Sequence, residues 1–558
     1  MLPSYQEINC QEPDLESLSE IYAQLEEDLS NPETDPREVI RAWDVVRRET
    51  ATWQNLVELR FNQGTRNRDF IAAQERCDEI SPRLTELDLR IKRLILEGPH
   101  REAIRSWLGN QVFAIWNSEA LSFTAKIKQD LVEESKLAAD YNALLSAAEM
   151  KFEGEVYNHE GIDQFRYAAD RDQRYQSIRK KWQWFAEHSG ELDDLFDRLV
   201  RTRHKMARTL GFENYLEMGY LRRCRVDYDT SDVAGYRRQV RDHVVPFCRE
   251  LIEKKRNALD LKQVHFWDES VHGSRGNPRP QGDCAWMMEQ AKKMFFSLSE
   301  ELGQFFEMMT DRQLLDLVNR EGKGGGGFCT DFPKHGLPFI FANFNSTADD
   351  VRVFTHEVGH AFQGYSSRHQ EVYDYVWPTY ESCEIHSMGL EFMTFPQMER
   401  FFGDQAPRFC REHVIDSFLF FPYGVAVDHF QHLVYQNPDA SPAERMEMWK
   451  EMESTYLPWR DYGDLPHLVQ GGRWQLQRHI FMYPLYYIDY TLALSCALQL
   501  WQKSCEAFET TLESYHQLCR MGGRLPFREL TASANLQSPF EEGTLAQAVE
   551  FARGYLDR

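Results

Sequence analysis

Apolar residues recur at helical spacing through most of the chain. "LESLSEIYAQLEEDLS" (15–30) and "FTAKIKQDLVEESKLAADYNALLSAAEMKF" (123–152) place them three and four positions apart, with charged residues between. The pattern predicts long, highly charged helices over residues 1–260. "GEVYNHEGIDQF" (154–165) predicts a break, and "VHGSRGNPRPQGD" (271–283) a loop, because glycine and proline end regular structure. Helical spacing resumes in "CAWMMEQAKKMFFSLSEELGQFFEMM" (284–309) and "DRQLLDLVNR" (311–320).

The pattern changes at "EGKGGGGFCTDF" (321–332). "GGFCTDF" and "LPFIFANF" (337–344) are short runs of strand-forming residues joined by "PKHG", which predicts a hairpin. "NSTADDVRVFTHEVGHAFQGY" (345–365) then opens a helix, since Ser346 with Asp349, or Thr347 with Asp350, makes a capping box. Val351, Phe354, Val358 and Phe362 form its apolar stripe, and Gly364 predicts its end. The remainder reads as helical, with loops at "YQNPDASPAE" (435–444) and "YGDLPHLVQGGRW" (462–474).

Gly322, Gly324 and Gly327 satisfy G-x-G-x-x-G. A dinucleotide site needs strand, glycine turn and helix in that order, whereas the order expected here is helix, glycine run, hairpin, helix. A P-loop would need Lys and Ser/Thr where Phe328 and Cys329 stand. The run is therefore not read as a phosphate site.

Length and composition narrow the function classes. The chain has 558 residues, room for three or four units of ~150 residues. Three regions are expected: a helical 1–200, a helical 201–320 and a third, 321–558, that begins at the glycine run, with a single continuous body also open. Hydrophobic residues at 42% supply a sizeable core, and a net charge of -24 argues against a nucleic-acid partner. Eleven scattered cysteines without a C-x-x-C pair fit a reducing compartment. "MLPSYQEINCQEPD" has neither the basic nor the apolar part of a signal peptide. "IFMYPLYYIDYTLALSCALQLW" (480–501) is long enough to span a bilayer but carries Pro484, Asp489 and Gln499, so a buried helix is expected. No membrane partner and a cytoplasmic location follow.

Chemistry concentrates in "HEVGH" (356–360). His356 and His360 lie one helical turn apart on one face, so both can reach one Zn²⁺ at ~2.1 Å. Glu357 is rotated ~100° from His356 and can stand beside the metal, where it can take a proton from water. The five-residue string also arises in ordinary helices, but here the helix is capped, amphipathic and preceded by a strand. A catalytic zinc wants a third protein ligand and an open position. The H-E-x-x-H-x-x-G-x-x-H solution fails, because Gln363 and Ser366 occupy its last two places. "PTYESCEIHSMGLEF" (378–392) offers Glu381, Glu384, His386 and Glu391 on a second helix.

The segment "GGFCTDFPKHGLPFIFANFNSTADDVRVFTHEVGHAFQGY" resembles the oligoendopeptidase F and thimet oligopeptidase family of zinc metallopeptidases. "RHKMARTLGFENYLEMGYLRRCRVDYD" (203–229), "PYGVAVDHFQHLVYQNP" (422–438) and "GGRWQLQRHIFMYPLYYIDYTLA" (471–493) extend the likeness over roughly 200–535, nearer the oligoendopeptidase F branch. The resemblance implies a mainly α, zincin-type peptidase with a small sheet beside the zinc helix and a deep substrate channel. It implies one Zn²⁺ per chain, with "YESCEIHSMGLEF" as the second metal helix and Glu384 as third ligand. Glu391, on the same face as Glu384, reads as an acceptor behind a metal-bound imidazole; His386 points away.

In "RHIFMYPLYYIDY" (478–490), Tyr483, Tyr487 and Tyr490 fall at i, i+4 and i+7, with Pro484 in the first turn of a helix. Alone, the stripe reads as core packing. The resemblance gives His479 the role of orienting substrate, and Tyr483 and Tyr490 that of donors to the oxyanion. The Gly-Gly pair of the thimet branch is missing and the spacing is one residue shorter, so Tyr486 and Tyr487 stand as alternatives to Tyr483 and as substrate contacts. The expected activity is endopeptidase cleavage of short peptides. A carboxypeptidase or dipeptidyl peptidase is the rival, and would need an arginine for the peptide carboxylate near the zinc. Gly325 and Gly326 are expected to border the substrate, as a flexible lip where no side chain blocks a peptide backbone.

Overall fold

The computed structural model describes residues 2–274, 276–345 and 347–558. The described chain is mainly helical, with five strands: β1 (Met150–Phe152), β2 (Glu155–Tyr157), β3 (Leu315–Val318), β4 (Phe328–Phe332) and β5 (Leu337–Phe344). β1 and β2 form an antiparallel hairpin. β5 is the centre of the other sheet, parallel to β3 and antiparallel to β4.

The chain forms two compact units, each assembled from three separate segments. The first holds Met1–Leu121, Arg279–Pro407 and Cys496–Ser538. The second holds Ser122–Pro278, Arg408–Ser495 and Pro539–Arg558. The expected regions 1–200, 201–320 and 321–558 divide the sequence, whereas these units follow packing.

In the first unit, helices Leu15–Ser30, Pro36–Gln63 and Arg68–Glu97 bury their apolar faces around Trp43, Ile91 and Trp116. The predicted stripe on Leu15–Ser30 is buried at Leu18, Tyr22, Leu25 and Leu29. The hairpin β4–β5 forms where predicted and leads into the His–Glu helix, Ala348–Ser366. That helix is capped by Asp350, whose carboxylate accepts the Thr347 N–H at 3.2 Å; Ser346, the other candidate cap, lies outside the described residues. Val351, Phe354, Val358 and Phe362 are buried as predicted.

Gly364 does not end this helix. A Cβ there would meet the Trp377 ring at 2.8 Å, so the glycine makes room for an indole. The end comes two residues later, where the Gln363 amide and the Ser367 hydroxyl both donate to the Val376 carbonyl, at 2.8 and 2.6 Å. The carboxylate helix Tyr380–Met393 follows.

Two stretches read as helix form strands. The helix before the glycine run stops at Asp311, Gln313 adopts a left-handed φ of 56°, and Leu315 pairs with Ile340 of β5. Pairing with a distant strand overrides the local pattern. The helix expected to reach Phe152 stops at Ser146. Glu153 (φ 47°) and Gly154 (φ 87°) then make the two-residue turn of the β1–β2 hairpin.

The second unit packs around aromatic residues. Tyr141 stacks on Phe481 at 3.8 Å, and Trp474 stacks on the same ring at 5.8 Å. Phe196 and Phe430 complete this wall against Trp474.

Candidate metal centre and active site

The His–Glu helix and the carboxylate helix touch at Gly359. A Cβ there would lie 2.6 Å from Ser387 Cα and 2.7 Å from the His386 carbonyl, so only glycine permits this approach. The contact brings Glu384 Oε2 to 3.2 Å from His356 Nε2 and 3.3 Å from His360 Nε2. The two imidazoles stand at 82° to each other, centroids 4.9 Å apart. Behind them, His356 Nδ1 meets Glu391 Oε1 at 2.7 Å, and the Ser387 hydroxyl donates to Glu384 Oε2 at 3.0 Å. His386 is turned away, its Nδ1 on the Ser382 carbonyl at 2.8 Å.

These residues fit a metal. One ligand atom each from His356, His360 and Glu384 lies within 4.8 Å of the others, and two imidazoles with one carboxylate are a zinc-type donor set. Glu357 is buried beside them with Oε2 lacking a hydrogen-bond partner, as expected of a carboxylate that faces something the chain does not itself supply. Burial opposes charge on His356, but Glu384 and Glu391 outweigh it and raise its pKa well above the usual range. Burial likewise pushes Glu384 up, and the imidazoles overcome it, holding that carboxyl well below the usual range. For Glu357 burial wins over the pull of His356 and His360, and its pKa is raised.

The glycine run reaches this cluster. A Cβ on Gly327 would lie 3.0 Å from Val353 Cγ1 and 3.7 Å from Glu357 Oε1. Gly322 and Gly326 hold φ of 76° and 87°, which glycine adopts without penalty. The run is pinned rather than loose. Gly324 N–H donates to the Asn62 carbonyl at 2.7 Å, and Asn343 Nδ2 donates to the carbonyls of Gly324 and Gly326 at 2.8 and 2.9 Å. Lys323 is spent on structure: its buried ammonium donates to Asp316 and to the carbonyls of Val318 and Ala342. A flexible lip is thus replaced by a tethered turn at the edge strand β4.

His479 and the tyrosines lie in the second unit, and their local structure departs from the expected helix. Arg478–Met482 is a short helix, and the long one starts only at Tyr487. Pro484 sits between them, followed by Leu485 at a φ of 64°. Tyr483 is therefore not on the face shared by Tyr487 and Tyr490, and is half-exposed. The turn still gathers the aromatics: His479 has Tyr487, Tyr490, Tyr486 and Tyr483 at 4.9, 5.8, 5.9 and 6.2 Å.

Arginines hold this turn by its backbone. Fully buried Arg203 donates to the carbonyls of Ile480 and Phe481, and Arg223 to that of Pro484 at 3.1 Å. Arg225 donates to the Leu485 carbonyl and, at 2.7 Å, to Asp489, while Gln431 accepts the Leu485 N–H at 2.7 Å. A Cβ on Gly219 would meet Leu485 Cδ1 at 2.5 Å. Arg203, Gly219, Arg223 and Arg225 all fall within the one segment 203–229. Nothing local to them points to a partner some 260 residues away.

The chain belongs to peptidase family M3. The model for "Peptidase family M3" matches residues 164–550, and that for the "Peptidase M3 N-terminal domain" matches residues 5–123. Solved structures agree over nearly the whole length. A protein described as "putative Oligoendopeptidase F" is 40% identical with a TM-score of 0.96, covering 100% of this chain and 99% of that one. PZ peptidase A with an inhibitor is 39% identical with a TM-score of 0.95, covering 99% of each chain. A "putative oligoendopeptidase F" from Bacillus anthracis str. Ames is 37% identical with a TM-score of 0.91, covering 99% of this chain and 98% of that one. No curated protein matches the chain. The chain is thus an enzyme, a metallopeptidase resembling oligoendopeptidase F, with peptides as its substrate class. No helix among the described residues is long and apolar enough to cross a membrane.

Proposed function

We propose that this metallopeptidase is a zinc-dependent endopeptidase that cuts internal bonds of short oligopeptides. The observation that carries the reading is the convergence of His356, His360 and Glu384 beside a buried, partly unpaired Glu357. His356, His360 and Glu384 would hold one Zn²⁺, and Glu391 would orient the His356 ring and keep its Nε2 basic. When bound, the ion supplies Lewis-acid polarisation of the scissile carbonyl and lowers the pKa of water. Glu357 takes the proton of the attacking water and delivers it to the leaving amine. His479 orients the peptide, and Tyr490 with Tyr483 donates to the developing oxyanion, each such donor worth roughly 3 kcal/mol. Tyr486 and Tyr487 contact substrate, and either could replace Tyr483 as donor. These roles rest on the family match, which includes their segment. The edge strand β4 with Gly325 and Gly326 accepts the peptide main chain, supported by the closeness of Gly327 to Glu357. The odd, scattered cysteine set supports a cytoplasmic place of action.

Mass spectrometry of a digested mixed-length peptide library tests the reading. Internal cuts confined to short peptides are expected, and Gly325→Val should slow them with zinc content unchanged. Release of only terminal residues or dipeptides would establish the exopeptidase rival instead. Cleavage of intact casein at a comparable rate would remove the size limit.

A further inference from the structure

His479 hangs on a backbone that is held firmly. Arg203, Arg223 and Arg225 take the carbonyls after it, and the Phe481 ring is stacked between Tyr141 and Trp474. The backbone clamp alone sets neither the rotamer of the imidazole nor which of its nitrogens carries the proton. One polar contact addresses both: Gln477 Nε2 lies 2.8 Å from His479 Nδ1.

Gln477 is fixed at both ends. Its N–H donates to the Trp474 carbonyl at 2.9 Å, and its carbonyl accepts from Ile480 N–H at 3.0 Å. This seats it between the Gly472–Leu476 turn and the Arg478–Met482 helix. Its side-chain oxygen accepts from the Tyr423 hydroxyl at 2.7 Å. Tyr423 in turn packs against the guanidiniums of Arg473 and Arg460, 5.0 and 5.7 Å from its ring, and Arg460 is held by both oxygens of Glu269. With the amide oxygen on Tyr423, the amide NH₂ faces His479. Nδ1 then accepts, and the neutral ring carries its proton on Nε2.

The geometry points to Gln477, backed by Tyr423, as a positioning residue that fixes both the rotamer and the Nε2–H tautomer of His479. The ring then presents a hydrogen-bond donor to the peptide. This inference rests on the substrate-orienting role proposed for His479.

Two-bond ¹H–¹⁵N correlation spectra of the zinc-loaded, ¹⁵N-histidine enzyme test it, with His479 assigned by its loss in His479→Ala. The wild type should show the Nε2–H tautomer. Gln477→Glu keeps the shape but can only accept, and should move the proton to Nδ1. Its kcat/KM should fall about ten- to a hundredfold at unchanged zinc content. Tyr423→Phe frees the amide to flip and should give mixed tautomers with a smaller loss. An Nδ1–H wild type, or Gln477→Glu within twofold of wild-type kcat/KM, would overturn the inference. His479→Ala separates the two levels. If it keeps full kcat/KM, the role of His479 falls and this inference with it. If it loses turnover while Gln477→Glu does not, only the inference falls.

Discussion

From His356 to Glu391, the residues of the candidate metal cluster stand on two regular helices whose approach is set by one glycine, Gly359. From His479 to Tyr490, the backbone leaves one helix, passes through a left-handed leucine and enters another. The first region needs few long-range instructions, because 3.6-residue periodicity already puts His356, Glu357 and His360 in place. The second is placed by groups far away in the chain: Arg203, Arg223, Arg225, Gln431 and Gly219. The candidate site residues are positioned by helix crossing in one region and by a polar clamp on the backbone of a strained turn in the other. Strain of this kind persists only where surroundings over-determine it.

The comparison can be broken most severely at Arg225. It is fully buried with Asp489, and both side chains show 0% exposure. Arg225→Ala leaves a buried carboxylate and the Leu485 carbonyl without their donor, and should cost about 3–5 kcal/mol in denaturant unfolding. Arg225→Met combined with Asp489→Leu should cost far less than the single change, since no uncompensated charge remains. Equal costs would mean that the clamp acts through packing alone.

The first unit offers a buried acid that forms no ion pair among the described residues, although Arg48 exerts a weaker pull on it. Asp331 on β4 accepts from Asn55 at 3.2 Å and Tyr373 at 3.4 Å. Burial, outweighing its hydrogen bonds, pushes its carboxyl up to about 6 from 3.8. The folded state therefore holds this proton more tightly than the unfolded chain. The favourable contribution is fully present below pH ~4 and is lost as pH rises to ~6, a change of about 3 kcal/mol. Asp331→Asn removes that dependence. The stability of wild type minus variant should thus fall between pH 4 and 7, and a constant difference would contradict the assignment.

A smaller effect is expected at the crossing itself. Gly359→Ala must push apart two backbones, costing about 2 kcal/mol, and should weaken zinc retention in dialysis followed by metal analysis. Full retention with unchanged stability would show that the helices can separate without moving Glu384.

The two regions were also unequally legible. "HEVGH" declared its spacing and face, and the second helix narrowed the third ligand to a few candidates. The resemblance selected Glu384, which is where the structure brings a carboxylate to both imidazoles. Gly359 passed unnoticed, because a glycine inside a helix says nothing about what approaches it. The tyrosine stripe misled, since i, i+4, i+7 spacing assumes one continuous helix and Leu485 breaks it. β3 was missed for a related reason: "LDLV" acquires strand character only from β5, more than twenty residues on. Local periodicity thus sufficed where regular helices place the candidate residues, and failed where distant polar groups set the backbone.

Glu357→Gln gives the most direct test of the central claim, that a metal held by His356, His360 and Glu384 works with Glu357 as the proton carrier. The variant keeps the size of the side chain and the three ligands. It should bind one equivalent of zinc and lose about a thousandfold in peptide turnover. Zinc-loaded Glu357→Gln that cleaves short peptides at the wild-type rate would contradict the account.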